Sequence, residues 1–208
     1  MKDLSSSISD MNLDKHKLLF NIISPGYNWF FNSQRQNYSR TVSKYFYKLE
    51  TPPGGNILDV GCGTGALTHV LAENGFDVTG VDIARLMMRY GIKRGLDCRY
   101  GNVVDGLDFA DKSFDLVTFA YVAHGIDREK RRKLFLEASR LSRGKVLFHD
   151  YSQQRSRVVD IIEYLEGGDY FNFIRTGLSE MQDVFKSVEV LSIKKHTNWY
   201  ICTPRESE

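Results

Sequence analysis

The chain has 208 residues, 42% hydrophobic and 26% charged, with 28 Lys and Arg against 26 Asp and Glu. That balance describes a soluble globular chain with room for one domain and a small appendage, and it excludes collagenous and low-complexity classes. No apolar run approaches the ~20 residues of a membrane span. A net charge of +2 is too slight to argue for nucleic acid or acidic lipid by itself. Cys62, Cys98 and Cys202 are odd in number and widely spaced, which suits a reducing cytoplasm rather than a disulfide framework or a zinc site.

Residues 1–10 lack the apolar centre of a signal peptide and read as a flexible tail. Residues 11–55 read as an N-terminal helical cap. Leu18, Leu19, Ile22 and Ile23 form one helical stripe, stopped by Ser24-Pro25-Gly26. Tyr38, Val42, Tyr45, Phe46 and Leu49 form a second, closed by Thr51-Pro-Pro-Gly-Gly55. The cap is expected to pack its aromatics on the main domain, residues 56–208. Part of it could serve as a lid, with Tyr27 reaching a ligand.

Asn56–Val60 predicts a short buried strand, and Gly61, Gly63 and Gly65 a turn almost without side chains. Ala66, Leu67, Val70 and Leu71 then begin a helix. Such a turn lets a ligand lie on backbone and aims the free N–H groups of a helix start at it. Gly61, Gly63 and Ala66 also satisfy the dinucleotide pattern G-x-G-x-x-G/A, with Asp82 placed 21 residues after Gly61. A nicotinamide-dependent oxidoreductase is therefore a competing reading. Against it stands Asp59, an acid where dinucleotide enzymes carry an apolar residue.

Strand and helix alternate from there, the mark of a mainly parallel sheet. Phe76–Val81 is the second strand, ended by Asp82, which is read either as a ribose ligand or as a helix N-cap. Leu96–Tyr100 is a weak third strand, followed by the turn Gly101-Asn102-Val103. Phe114–Phe119 is the fourth, and Ala120–His124 emerge on its ligand edge. Asp127 opens a helix with Leu134, Phe135, Ala138 and Leu141 on one face. Arg128, Lys130, Arg131, Arg132 and Lys133 lie on the other, read as a solvated face rather than a nucleic-acid patch. Gly144–Asp150 is the fifth strand. A helix through Val158–Leu165 stops at Gly167-Gly168. Asp169–Ile174 reads as an aromatic excursion folding back as a substrate wall, followed by a short helix over Leu178–Phe185. Val188–Ile193 and Asn198–Cys202 are joined too closely for a parallel crossover and predict an antiparallel hairpin.

The run Asp59-x-Gly-x-Gly-x-Gly65 resembles motif I of the class I methyltransferases that use S-adenosylmethionine (SAM), and a parallel sheet closed by an antiparallel hairpin is their arrangement. Leu19–Asn28 is similar to the start of the menaquinone and ubiquinone biosynthesis C-methyltransferases, although Asn28 stands where that group has Asp. The resemblance implies a three-layer Rossmann-like α/β fold with a mainly parallel seven-stranded sheet. It implies SAM as cofactor and S-adenosylhomocysteine as product. It places Tyr27, Asp59, Gly61, Cys62, Gly63, Thr64, Gly65, Asp82, Ile83, Asn102, Val103 and Ala120 at the cofactor. In that frame Asp59 would serve the ammonium, Asp82 the ribose hydroxyls, and Asn102 with Val103 the adenine.

Transfer from a sulfonium needs alignment and dryness more than a metal. The expected acceptor is a small molecule, with an RNA methyltransferase or a non-catalytic SAM-binding protein as further alternatives. His124, just past the fourth strand, and Tyr121 are candidate acceptor-side bases, and His149 is a weaker one, with simple burial as its alternative.

Overall fold

The computed structural model describes residues 30–206. Seven strands form one sheet: β1 (Asn56–Val60), β2 (Asp77–Asp82), β3 (Asp97–Tyr100), β4 (Phe114–Ala120), β5 (Ser142–Tyr151), β6 (Ser187–Lys194) and β7 (Thr197–Thr203). Six α-helices accompany them among the described residues: α1 (Phe31–Tyr45), α2 (Ala66–Glu73), α3 (Arg85–Lys93), α4 (Arg128–Leu141), α5 (Arg157–Glu166) and α6 (Tyr170–Val184). The strand order is β3-β2-β1-β4-β5-β7-β6. The first five strands are parallel, while β7 runs antiparallel to both β5 and β6. The expected terminal hairpin is present, with its second strand on the inside.

The period of two along each central strand sorts side chains onto two faces. Val117 and Phe119 of β4, Val146 and Phe148 of β5, and Tyr200 and Cys202 of β7 pack with Leu134, Phe135 and Ala138 of α4 and Phe173 and Met181 of α6. Their neighbours Leu116, Leu147, Trp199 and Ile201 turn the other way, onto Val42 of α1, Leu49, and Leu67, Val70 and Leu71 of α2. Three layers result, with the sheet in the middle. The second helical stripe of the sequence accordingly belongs to the main core. Tyr38 stacks edge-on against His149 with ring centres 5.5 Å apart, and Arg35 of α1 bridges Glu73 of α2 at 2.9 Å. Tyr27 and the first stripe, Leu18–Ile23, lie outside the described residues.

Two expectations are corrected. Asp169–Ile174 is no excursion, because α6 runs unbroken through it. Tyr170, Phe173, Ile174, Gly177, Met181 and Val184 are all buried along one continuous helical stripe, which the dense aromatics disguise as an irregular segment. Arg131 is not on the solvated face of α4; it is completely buried. Its guanidinium pairs with Glu180 of α6, at 2.7 Å from Nε and 3.0 Å from Nη2. A third nitrogen contact reaches Asp169 at 3.1 Å. The pairing satisfies a buried charge that the sequence alone would place in water.

Candidate active site

Chain connections diverge between β1 and β4, which are neighbours in the sheet. A crevice outside the carboxyl ends of strands at such a switch point is where open α/β sheets bind ligands. Two turns meet there, one after each strand.

The first turn is the glycine stretch. Gly61, Gly63 and Gly65 have φ of +75°, +54° and +84°, a region that costs side-chain-bearing residues energy. The Gly61 and Cys62 amides both donate to the Val81 carbonyl, at 2.7 and 3.2 Å, tying the turn to the end of β2. Gly65 caps the start of α2, and a Cβ there would meet Leu96 Cδ1, in the link from α3 to β3, at 2.5 Å and Gly91 of α3 at 3.4 Å. A Cβ on Gly63 would have only Met87 Cε nearby, at 3.4 Å. Cys62 and Thr64 point inward and are buried, leaving backbone as the exposed part of this turn.

Asp82 ends β2 beside it. Its Oδ2 accepts from the Gly63 amide at 2.7 Å and its Oδ1 from the Ala84 amide at 2.6 Å. Burial pushes the carboxyl above its ordinary value, against the pull of those amides. The N-cap of α3 is Ala84, not Asp82, so the capping alternative does not describe it. Two carboxylate oxygens offer about four acceptor positions, and the amides of Gly63, Ala84 and Ile83 draw on three of them. Ile83 follows, half-buried.

Asp59 sits elsewhere than the sequence suggests. It is enclosed beneath the turn, where Thr68 and Thr118 donate their hydroxyls to its two oxygens at 2.7 and 3.0 Å. Burial raises its carboxyl to about 6. It ties β1 to α2 and β4. Asn102 likewise spends its side chain locally, accepting from the Val104 amide at 3.2 Å and donating to Asp105 at 2.7 Å. Val103 is buried in the core, and Ala120 packs toward the α1–α2 face.

The second turn follows β4. Tyr121 has φ of +56°, a strained conformation for a bulky residue and one that clusters at functional sites. Its amide donates to the His149 carbonyl at 2.9 Å, and its hydroxyl pairs with Thr197 at 2.9 Å. The next residue, Val122, covers Gly61 so closely that a Cβ on the glycine would collide with it. His124 is buried, with Nδ1 2.8 Å from Asp150 Oδ1 and Nε2 3.4 Å from Glu163 Oε2. Asp150 also accepts the amides of Ala123 at 3.0 Å and Tyr151 at 2.8 Å. An acceptor-only carboxylate so supplied makes Nδ1 of His124 the protonated nitrogen. Arg131 braces the same turn through the Ile126 carbonyl, 2.6 Å away.

His149 is buried, and Trp199 Nε1 donates to its Nδ1 at 2.8 Å. Burial lowers it to about 4, so it is a neutral packing residue and not a base. Asp150, Glu163 and Arg131 are absent from the sequence-based site. Asp150 could have been found as the acid at the ligand end of β5; the other two carry no local signal.

Comparison with known proteins agrees with this geometry. Residues 57–145 match the methyltransferase domain family. The demethylmenaquinone methyltransferase of Renibacterium salmoninarum is 32% identical over 48% of this chain, and the chain spans 43% of that relative's length. An uncharacterized methyltransferase of Staphylococcus carnosus is 25% identical, with 74% of this chain and 77% of the relative covered. The crystal structure of a SAM-dependent methyltransferase from Thermotoga maritima superposes with a TM-score of 0.67 at 17% identity, covering 91% of this chain and all of its own. The domain matched across the middle of the sheet, taken with the order in which that sheet is laid down, makes this chain similar to the class I methyltransferases that use SAM, whose fold it shares.

Proposed function

We propose that the chain transfers the methyl group of SAM to a small-molecule acceptor by in-line displacement. One observation carries this reading: two turns, one of bare backbone beside the Asp82 carboxylate and one bearing Tyr121 and His124, meet at the switch point of the sheet. The residues suit the cofactor. Gly63 leaves an approach that a side chain would fill, and the remaining acceptor capacity of Asp82 suits a ribose hydroxyl. When bound, SAM supplies a methyl group on a positive sulfonium.

In this reading Gly61, Cys62, Gly63, Thr64 and Gly65 offer main chain to the cofactor. Asp82 holds the ribose, and Ile83, Asn102 and Val103 border the adenine. Asp59 acts at one remove, by fixing the turn from below. Ala120 completes the cofactor's surroundings among the described residues. Tyr121 and His124 belong to the acceptor side, where His124 is the candidate base. Alignment of the two reactants accounts for most of the acceleration, worth about 7–11 kcal/mol where it is good. No helix among the described residues is long and apolar enough to cross a membrane. The three unbridged cysteines support a reducing cytoplasm as the place of action.

Calorimetric titration with S-adenosylhomocysteine and, separately, NAD tests the reading. Saturable binding of the first and none of the second is expected; the reverse order would replace it with the dinucleotide alternative.

A further inference from the structure

The glycine turn carries a thiol that meets a second one across the sheet. Cys62, between Gly61 and Gly63, lays its side chain over β2, and it packs with Cys98 of β3 and Met88 of α3 in one small cluster. The strand between the two cysteines offers no side chain at that point. Gly80 pairs in register with Cys98, and a Cβ on it would lie 2.9 Å from Cys62 Sγ and 3.4 Å from Cys98 Sγ. Both sulfurs therefore border the same missing methyl group. Gly91 of α3 also gives way to Cys98, since a Cβ there would strike its Sγ at 2.7 Å.

This pair differs from the third cysteine. Hydrogen bonding with Cys98 first, and burial next, hold the Cys62 thiol well above its ordinary value, while the same bond draws Cys98 below its own. A thiol that ionises readily, set beside one that stays protonated, is the pattern of an attacking and a resolving cysteine. Each is 8% exposed, whereas Cys202 is wholly enclosed and burial raises its thiol. Cys202 is thus an inert internal control. All three are free thiols in this structure.

Resting on the methyl-transfer reading, we propose that Cys62 and Cys98 form a reversible disulfide with hydrogen peroxide as oxidant, and that this bond shuts the cofactor site by displacing the glycine turn. The Cys98 sulfur attacks one peroxide oxygen; the O–O bond breaks, and the departing hydroxide leaves as water with the thiol proton. The Cys62 sulfur then attacks the sulfenic acid so formed on Cys98. The S–S bond forms, the S–O bond breaks, and a second water leaves with the Cys62 proton. Two thiols lose two electrons and the peroxide gains them; a dithiol reductant reverses the change. A disulfide holds its sulfurs about 2.05 Å apart and its Cβ atoms about 3.8 Å apart, so closure draws Cys62 across Gly80 toward β3. The Gly61 and Cys62 amides that donate to Val81, and the Gly63 amide that donates to Asp82, are carried with it. The main chain presented to the cofactor changes as a result.

The full chain is treated with hydrogen peroxide, digested without reduction and mapped by mass spectrometry. Its affinity for S-adenosylhomocysteine is measured by calorimetry before oxidation, after it, and after dithiothreitol. A Cys62–Cys98 linkage is expected, with Cys202 still a thiol, together with a tenfold or greater rise in Kd that dithiothreitol reverses. Cys98→Ala should bind as the reduced wild type does and keep that affinity in peroxide. Should Cys98→Ala fold poorly, Cys98→Ser serves as the second variant and should behave alike. Absence of the linkage, a linkage that leaves affinity unchanged, or equal peroxide sensitivity in the variants overturns the switch alone. Failure of the reduced wild-type chain to bind S-adenosylhomocysteine overturns the methyl-transfer reading and the switch with it.

Discussion

The Asp82 carboxylate lies 2.7 Å from the amide nitrogen of Gly63, so the acid that ends β2 also shapes the glycine turn. Asp82→Ala should weaken S-adenosylhomocysteine by about 1.5–3 kcal/mol, as lost charge-assisted hydrogen bonds do. Asp82→Asn keeps the shape but offers one acceptor oxygen, and should fall between. Calorimetry decides: affinity unchanged in both would confine Asp82 to tying the turn.

Gly61 and Val122 form a matched pair. Gly61→Ala adds a Cβ that collides with Val122 and strains a φ of +75°, and should cost about 1–3 kcal/mol in urea unfolding. Gly61→Ala with Val122→Ala should recover part of that loss, leaving the backbone component. Full additivity in the double-mutant cycle would show that the two side chains do not meet.

Two buried groups give opposite pH dependences. An unfolded His takes its proton near 6.5, whereas His149 in the folded chain resists until about 4. Protons therefore bind the unfolded chain first as pH falls through that window, and stability drops by about 3 kcal/mol. Asp59, raised to about 6, protonates in the folded chain first, and returns a similar amount, about 3 kcal/mol, between pH 6 and 4. The wild-type profile should be shallow. Relative to it, His149→Gln should gain stability toward pH 4 and Asp59→Asn should lose it. Urea midpoints at pH 7.5 and 4.5 check this; variants that track the wild type would refute the burial argument.

Arg131 is the buried cation that joins α4 to α6. Arg131→Met removes one member of a buried pair and leaves Glu180 without its partner, at a cost of about 3–5 kcal/mol. Arg131→Met with Glu180→Gln should regain much of it. Denaturant unfolding measures both, and a loss below 1 kcal/mol in the single variant would place the pair in solvent.

The fold was readable wherever chemistry repeats along the chain. Alternation from Asn56 onward marks the parallel strands, the short Lys194–Thr197 link marks the hairpin, and the glycines at 61, 63 and 65 mark the ligand edge. Of the candidate site, the part beside that turn was readable, as at Asp82, and the part assembled across distance was not. Glu163 and Arg131 look like ordinary helix-surface charges, because only the packing of α5 against the His124 turn, and of α4 against α6, removes them from water. Asp59 misled in the opposite direction: an acid ahead of a glycine turn suggests a ligand contact, yet Thr68 and Thr118 enclose it. The aromatic run from Tyr170 hid its helix because nearly every position is large.

β7 lies between β5 and β6, so β6 reaches the sheet only through the last strand. During synthesis, β5 must wait with an open row of N–H and C=O groups until residues 197–203 have left the ribosome. An unpaired edge of that kind invites pairing with another chain, and a closure over such long sequence separation is slow. Assembly of the sheet therefore hinges on residues 197–203, and a nascent chain stalled before Thr197 should be prone to aggregate even with its glycine turn well formed.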